Sequence, residues 1–465
     1  MKQRLPILAL LAAALLLRLY RLNDGLWYDE IGTWIRYMHL PLAQIPFVYG
    51  SENQHFLFSI LARASLLVFG ESNWAFRLPA ALFGVASIWS TWWMARMVTT
   101  PREAFFSAAL LTFSYHHVWF SQNARGYSGL LFWTMLASGF LIRGLEGNTR
   151  RDWLLWAVCA ALGVYTHATM SFVLIAHALI ALAYCTRKGG WLRVGSWFGL
   201  GATLTLLLHA PALPEIRAGL KGTISVVNEW KSPLWTIAEI FRGLSVNFAG
   251  AAALVVVGLV ALAVFFTGLA SYLRSRPVVA ALLVLPSLIG GGLVFSLGHH
   301  IWPRFFYFAF GFAVLVVVRG VDRLASSIHP RLALPAVVAM VLVSAVSLRN
   351  VYGPKQDFVG ALAYAQGQAA PGDVIASADL ASNIYTKYLP GPVPLRTRDD
   401  LFAARQGHRV FLLYTLTPVF RAQLPELYET VTRDAASFRR FPGTLKDGAI
   451  TVAEFAPLPE PTARP

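Results

Sequence analysis

The stretch LPILALLAAALLLRLY, residues 5–20, decides the fold class, because it is the first of many apolar runs of similar length along the chain. Runs of about 15 to 25 apolar residues cross the hydrocarbon core of a bilayer as helices. The 465 residues are 56% hydrophobic and 13% charged, whereas a soluble domain has about 25% charged residues. The sequence therefore predicts an all-α polytopic membrane protein with about 11 transmembrane helices.

The first run follows Lys2 and Arg4, as the apolar part of a signal peptide would. No small-residue cleavage site comes after it, since Arg18 and Tyr20 lead directly into LNDGLW. We therefore expect the run to be retained as a membrane span. Both cysteines, Cys159 and Cys185, lie in predicted spans, which argues against disulfide or zinc chemistry.

Basic clusters indicate the orientation of the spans, because short loops rich in Arg and Lys stay in the cytoplasm. Keeping Arg150-Arg151 and Arg187-Lys188 inside places the N-terminus in the cytoplasm and the loop 21–75 outside. This orientation requires the segment HFLFSILARASLLVFG (55–70) to lie in the membrane interface and residues 103–119 to form one span. Topology and contacts with anionic membrane lipids account for the net charge of +16, so no nucleic-acid partner is expected. We predict a multi-pass protein of the cytoplasmic (inner) membrane.

The composition changes after about residue 349. PKQDFVGALAYAQGQAAPGDVIASADLASNIYTKYLP favours helix, turn, strand and helix, and RVFLLYTLT and AITVAEFAP favour strands. We predict a membrane domain over residues 1–348 and a soluble, extracytoplasmic α/β domain over 349–465, ending in the disordered tail PLPEPTARP. No glycine-rich motif that cradles phosphates is found, so no nucleotide cofactor is expected.

The outer loop opens with LNDGLWYDEIGTW (22–34), which contains the acidic pair Asp29-Glu30. Carboxylates beside a bilayer are costly and often mark function. They also cap helix N-termini, and the spacing alone weighs both interpretations equally. Adjacent side chains on a helix point about 100° apart. We therefore expect one acid to accept a proton from an attacking hydroxyl while the other orients an arginine or a metal.

Arg125, in WFSQNARGY, is predicted at the outer end of a span. A guanidinium group there either clamps a phosphate or extends to the interface. Tyr127 beside it is a candidate contact of the same site or an interface aromatic. His55 opens the interfacial helix and is a candidate substrate contact, whereas His167 in YTHATM is interpreted as structural.

The segment GHHIWPR (298–304) brings His299, His300 and Arg304 together at another predicted outer end. Adjacent histidines suit a metal, but no third ligand occurs at helical spacing, so the metal stays unknown. Arg304 is a candidate second phosphate contact, and His300 a candidate substrate contact. The outer loop with Arg217, Lys221, Glu229, Trp230 and Lys231 is either a solvated surface or a flexible cover over the site.

Five motifs occur in this order: LWYDE, FGESNWAFRLPAALFGVASIW, VWFSQNARGYS, WKSP and WPRFF. With them the chain resembles the bacterial glycosyltransferase family 39, which is related to dolichyl-phosphate-mannose protein mannosyltransferases and to aminoarabinose transferases. The resemblance implies the GT-C fold and a sugar donor carried on polyprenyl phosphate at the outer membrane face. It implies that Asp29 is the general base with Glu30 as its supporting acid. Arg125 and Arg304 would meet the lipid phosphate.

The chain departs from the family pattern at two places. Where the family has His-Pro-Pro-Leu, this chain has His55-Phe56-Leu57-Phe58, and Asn123 stands where the family has Glu. Without that acid a divalent cation stays an open question, and the pair in the first loop carries the chemistry.

We expect an inverting membrane glycosyltransferase. The hydroxyl of an unidentified glycan, lipid or protein acceptor would attack the sugar as Asp29 takes its proton, and polyprenyl phosphate would leave with its charge neutralised by arginine. One alternative is a lipid or sugar transporter, although transporters place ionisable groups near the bilayer midplane and often show repeats. The other is a degenerate, non-catalytic lipid-sugar binding protein, which Asn123 leaves open.

Overall fold

The computed structural model describes residues 5–147, 149–219, 227–244 and 251–459. The chain divides into two compact units. The first comprises Met1–Leu22, Leu40–Ile224 and Glu229–Tyr352, and the second Asn23–His39, Ser225–Asn228 and Gly353–Pro465. The segment with the acidic pair therefore belongs to the same unit as the C-terminal residues.

The first unit is helical. Its first helices are α1 (Leu5–Leu19), α3 (Phe56–Phe69), α4 (Asn73–Val98), α5 (Pro101–Thr112), α6 (Tyr115–Ser121), α7 (Tyr127–Gly147), α8 (Arg150–Thr166) and α9 (Met170–Lys188). They are followed by α10 (Trp191–His209), α11 (Leu213–Gly219), α12 (Pro233–Leu244), α13 (Ala251–Ser275), α14 (Pro277–Ser296), α15 (Phe310–Ile328) and α16 (Ala333–Ser347). The short helix α2 (Tyr28–Thr33) lies in the second unit.

Seven helical stretches in the described part of the chain are long and apolar enough to cross a membrane, and α1 and α3 are apolar but shorter. The seven are Tyr127–Gly147, Met170–Lys188, Trp191–Gly219, Val255–Ser275, Pro277–Ser296, Pro303–Ile328 and Pro330–Asn350. The predicted class, a polytopic helical membrane protein with a small C-terminal α/β domain, is confirmed. The expected number of about 11 spans counts shorter and more polar helices as well.

The span predicted over 103–119 is two helices, and that expectation is corrected. α5 ends at Thr112 and α6 begins at Tyr115, because the Ser114 side chain accepts a hydrogen bond from the backbone N–H of His117 at 3.3 Å and starts a new helix. The fully buried Arg18 of α1 donates to the carbonyl oxygens of Leu111 and Thr112 at 3.2 and 3.4 Å. A buried guanidinium thus satisfies carbonyls that the end of α5 leaves open.

The second unit is built on a five-stranded sheet in the order β2-β1-β3-β5-β4. β1 pairs in parallel with β2 and β3, and β5 pairs antiparallel with β3 and β4. The strands are β1 (Val374–Ala378), β2 (Val393–Leu395), β3 (Val410–Tyr414), β4 (Ser437–Phe441) and β5 (Ile450–Phe455). The helices are α17 (Phe358–Gln368), α18 (Leu380–Lys387), α19 (Arg398–Ala404), α20 (Thr417–Gln423) and α21 (Pro425–Asp434).

The order in which strands are added to the sheet changes side between β1 and β3. β1 continues through α18 to β2 on one side, whereas β3 leads to β4 and β5 on the other. In open α/β sheets this reversal leaves a crevice at the carboxyl ends of the two strands, where ligands bind. Most of the predicted tail, residues 460–465, lies outside the described residues, and Leu458 within them bonds to the backbone of Arg405 and Gly407.

Candidate functional site

Arg125 lies in the turn between α6 and α7 and is only 3% exposed. One of its terminal nitrogens donates to the backbone oxygen of Asn53 at 3.2 Å, and the other donates to the Asn53 Oδ1 at 3.0 Å. Two contacts to one residue fix the plane of the guanidinium. The arginine is therefore held in place rather than extended into the interface.

Gly126, the next residue, permits a close approach of this turn to its neighbours. A Cβ at this position would lie 2.4 Å from the carbonyl oxygen of Thr166 and 3.0 Å from Nδ1 of His55. No side chain fits there without displacing backbone. Glycine thus lets the turn that carries Arg125 and Tyr127 close onto the start of α3 and the end of α8.

His55 precedes α3 and is buried. Its Nδ1 lies 3.2 Å from the carbonyl oxygen of Thr166, which can only accept, so Nδ1 carries the proton. The Nε2 atom is then an acceptor, and it is buried without a hydrogen-bond partner among the described residues. Burial, followed by the charge of Arg125, holds the pKa of His55 well below its usual value of 6.5. His55 is therefore neutral at physiological pH.

His167 follows the end of α8 and has the complementary tautomer. Its Nδ1 accepts the backbone N–H of Thr169 at 3.3 Å, which leaves the proton on Nε2. Its ring centroid lies 4.6 Å from that of His55 and 4.9 Å from that of Tyr127. Burial and the charges of Arg125 and Arg304 lower its pKa to about 3. The interpretation of His167 as structural from its sequence missed its pairing with His55. The one sequence feature that could have indicated the pairing is that both histidines lie at helix ends.

Arg304 acts on the same two histidines as Arg125. Its positive charge contributes to the lowered pKa of His55 and of His167. Its guanidinium carbon lies 4.9 Å from the ring centroid of Trp302. The charges of two arginines thus act on two neutral imidazoles, a combination suited to an anion with hydroxyl groups attached to it.

His300 belongs to an aromatic cluster rather than to the imidazole pair. Its ring centroid lies 5.0 Å from that of Trp230, and Trp230 lies 4.6 Å from Trp302. The backbone joins the two segments, since the N–H of Ile301 donates to the carbonyl of Trp230 at 3.0 Å. Burial, then the charge of Lys231, lowers the pKa of His300 to about 4.

The loop before this cluster was predicted to be either a solvated surface or a cover. Trp230 is buried in the cluster, and Arg217 on α11 is exposed. Lys221 lies outside the described residues. The WKSP motif therefore belongs to a packed element, at least at its tryptophan.

The acidic pair lies in the second unit, in the first turn of α2. Asp29 is 7% exposed and Glu30 is fully buried. The Glu30 carboxylate accepts the backbone N–H of Trp27 at 3.3 Å, which caps the helix. The capping interpretation is thus what the structure shows for Glu30, and the different roles expected of the two acids stay a prediction.

Tyr28 holds the turn of the acidic pair against the C-terminal residues. Its backbone N–H donates to Oε1 of Gln356 at 3.0 Å, and its phenol is hydrogen-bonded to Asn383. Burial, then the charge of Asp29, raises the pKa of Tyr28 to about 12. No sequence signal points to Gln356, because an isolated glutamine carries no motif.

The open question of a metal is not resolved by a visible ligand set. In the ranges that the structure describes, no three His, Cys, Asp or Glu side chains gather closely enough to hold an ion. Cys159 and Cys185 are buried free thiols.

Residues 53–214 match the protein family described as dolichyl-phosphate-mannose-protein mannosyltransferase. This segment contains His55, Arg125, Tyr127 and His167 of the site in the first unit. Over this segment, about a third of its length, the chain is similar to that family. The match supports the predicted relationship to these mannosyltransferases over residues 53–214, and the apolar helices make the protein a multi-pass membrane protein.

Several solved structures resemble this chain over most of its length. ArnT from Cupriavidus metallidurans, in the apo state and bound to undecaprenyl phosphate, is 14% identical, with a TM-score of 0.49, covering 96% of this chain and 97% of ArnT. The Archaeoglobus fulgidus oligosaccharyltransferase tethered with an acceptor peptide is 12% identical, with a TM-score of 0.49, covering 95% of this chain and 74% of that protein. No curated protein sequence matches the chain.

Proposed function

We propose that this protein transfers a sugar from a polyprenyl-phosphate-linked donor to the hydroxyl of an acceptor at the outer face of the cytoplasmic membrane. The observation that carries the proposal is the closely spaced pair of buried histidines, His55 and His167, beside the turn that holds the fixed guanidinium of Arg125. The charge of Arg304 acts on both rings. The family of residues 53–214 supports the class of reaction. The sugar and the acceptor are not assigned.

The two arginines would bind the phosphate of the donor. When the bond between sugar and phosphate breaks, negative charge grows on the departing phosphate. Fixed guanidinium groups stabilise that charge without a proton transfer, and they do so more strongly in a site shielded from water. The buried, doubly bonded Arg125 is already oriented for this task.

The two imidazoles would bind hydroxyl groups of the donor sugar. Nε2 of His55 is an acceptor, and Nε2–H of His167 is a donor. Because both rings are neutral, they add no positive charge to the two arginines. The pair thus offers one acceptor and one donor beside an anion site, which suits a sugar phosphate better than an inorganic anion.

Asp29 is proposed as the general base. It would take the proton from the acceptor hydroxyl as the oxygen attacks the anomeric carbon, while the phosphate leaves from the opposite face with inversion. Glu30 holds the turn that carries Asp29 through its bond to Trp27. Because the Glu30 carboxylate is engaged in capping the helix, we assign proton transfer to Asp29.

The test measures sugar transfer in membranes supplied with radiolabelled polyprenyl-phosphate sugars. Arg125→Lys and Arg304→Lys keep the charge but lose the planar fork, and we expect the KM for the donor to rise by about 10- to 100-fold, since such a charge-assisted contact is worth about 1.5–3 kcal/mol. Arg143→Lys is the matched control, because Arg143 is half exposed and paired with Asp152.

Two results would contradict the proposal. A donor KM that is unchanged in both arginine variants would remove the phosphate clamp. Label that crosses the membrane while it stays on the lipid would indicate the transporter alternative instead of a transferase.

A further inference from the structure

The crevice at the carboxyl ends of β1 and β3 has polar residues on both sides. Asp379 directly follows β1, and Ser382 lies in the first turn of α18. On the other side Thr415 follows β3. This is the position in an open α/β sheet where ligands bind.

Three side-chain oxygens in the short stretch 377–382 are buried without a hydrogen-bond partner among the described residues. They are Oγ of Ser377, Oδ2 of Asp379 and Oγ of Ser382. Ser377 is fully buried. Buried polar atoms nearly always have partners, and leaving one without costs about 1–3 kcal/mol. Such a concentration in one strand-to-helix turn therefore indicates that a ligand supplies the bonds.

The backbone of Asp379 is strained in the same turn. Its φ of 53° and ψ of −129° lie in a region that residues other than glycine rarely adopt. Strain of this kind costs about 1–3 kcal/mol and collects at functional sites. Burial raises the pKa of Asp379, and the backbone N–H of Leu380 opposes that shift by donating to the carboxylate.

The crevice adjoins the turn of the acidic pair. The phenol of Tyr28 is hydrogen-bonded to Asn383 on α18, and the charge of Asp379 acts on the same phenol. Gln356, which accepts from the Tyr28 backbone, donates to Thr415 Oγ1 at 3.1 Å on the β3 side. Tyr28, the residue before Asp29, is thus tied to both sides of the crevice.

We infer that Ser377, Asp379 and Ser382 form a binding subsite for a hydroxyl-rich ligand, namely a sugar of the acceptor. The carboxylate oxygen accepts from hydroxyl groups, and each serine both donates and accepts. An anion would be repelled by Asp379. A divalent cation such as Ca²⁺ takes about six to eight oxygen ligands, more than these three side chains supply.

The binding of hydroxyl groups at this subsite does not depend on the proposed function. The identification of the ligand as the acceptor rests on the proposed function. A glycan held beside Tyr28 would present its hydroxyl groups next to the turn that carries the proposed base. The subsite would therefore select acceptors by their sugar, and the donor would be recognised by other residues.

The experiment uses the full-length protein in lipid nanodiscs and the methyl glycosides of glucose, galactose and mannose as probes. Saturation-transfer NMR measures their binding without any donor. We expect binding of at least one glycoside to the unaltered protein, and a loss of about tenfold or more in affinity for Asp379→Asn and Ser377→Ala. Asparagine has the shape of aspartate, so it can adopt the backbone conformation that Asp379 already has.

Ser437→Ala on β4 is the matched control, because its side chain is exposed, and it should bind like the unaltered protein. Ser377→Ala removes a hydroxyl without a partner, so its Tm should not fall. Absence of binding by all three glycosides, or equal binding to the unaltered protein and Asp379→Asn, would overturn the subsite. Intact glycoside binding without sugar transfer would refute the proposed function and leave the subsite standing.

Discussion

Gln356 accepts a hydrogen bond at 3.0 Å from the backbone N–H of Tyr28, a residue 328 positions earlier in the chain. Its amide nitrogen donates to Thr415 Oγ1 at 3.1 Å and to the carbonyl of Gly448 at 3.0 Å. These partners fix which end of the amide is oxygen and which is nitrogen. One buried side chain therefore joins the turn of the acidic pair to the end of β3.

Replacing Gln356 with leucine should lower kcat more than it raises the donor KM. The change removes the acceptor of the Tyr28 N–H, at a cost of about 1–3 kcal/mol for an unpaired buried group, while the Gly448 carbonyl keeps its bond from Thr415 Oγ1. Steady-state transfer assays at varied donor concentration separate the two parameters.

The control for this variant is Gln366→Leu, at an exposed position on α17. It adds the same apolar side chain without touching the bonds to Tyr28. If Gln356→Leu transferred sugar with the kcat of this control, Gln356 would not position the acidic pair.

Asp29→Asn should reduce sugar transfer by about 10²–10⁴-fold, because it removes the basic oxygen and keeps the size of the side chain. Glu30→Gln retains an acceptor for the Trp27 N–H, so we expect most of the activity to remain. Glu30→Ala loses that cap, and the Tm should fall as about 0.5–2 kcal/mol of stability is lost. Near-normal transfer by Asp29→Asn together with a large loss in Glu30→Gln would assign the base to Glu30.

The stability of the first unit should decrease as the pH falls below about 6.5, the usual pKa of an unfolded histidine. The pKa of His167 is lowered to about 3 by burial and by Arg125 and Arg304, so the unfolded chain takes up the proton first. The contribution of His167 is thus complete above pH 6.5 and is lost as the pH falls toward 3, with a slope of up to about 1.4 kcal/mol per pH unit.

His55 acts in the same direction, because its pKa is also lowered. His167→Gln removes one of the two titrating rings, and unfolding followed at pH 7, 6 and 5 should show a shallower dependence than in the unaltered protein. An identical dependence in both proteins would mean that His167 takes up its proton in the folded state as readily as in the unfolded chain.

The C-terminal residues should lie outside the cytoplasm. The basic clusters Arg150-Arg151 and Arg187-Lys188 motivate this orientation, since positively charged short loops stay inside. Alkaline phosphatase, which is active only outside the cytoplasm, should be active when fused after residue 349. A fluorescent protein that folds only in the cytoplasm, bright at the same junction, would reverse the orientation and remove the lipid-linked donor from the proposed face.

Much of the fold could be predicted because hydrophobic runs and strand-forming residues are local signals. The strands of RVFLLYTLT and AITVAEFAP are β3 and β5, whereas β4, with the exposed sequence SFRRF, lacks an apolar pattern and was not predicted. The break between α5 and α6 was missed, since the carbonyls that it leaves open are satisfied by Arg18 of α1, far earlier in the chain, and the Ser114 cap alone is a weak signal. Burial and hydrogen bonding from another helix decide such features.

In the candidate site, too, residues marked by local sequence features could be predicted, and residues defined by distant contacts could not. Arg125 and His55 were candidates from their own residue types and their positions at helix ends. His167, Gln356 and Asp379 became candidates only through partners far along the chain or through burial. A single sequence does not display these partners, so chemistry that depends on them could not be read from it.

The bond between Tyr28 and Gln356 also sets an order of events during synthesis. A ribosome makes the segment 23–39 early, yet the sheet that receives it is complete only after β5 has been made. Contacts so distant in sequence form late, after the local helices. The turn of the acidic pair therefore lacks these contacts for nearly the whole time of translation, and a chain released before its last strand would carry Asp29 on a turn without them. With Asp29 as the proposed base, a chain released before β5 has been made is expected to be inactive.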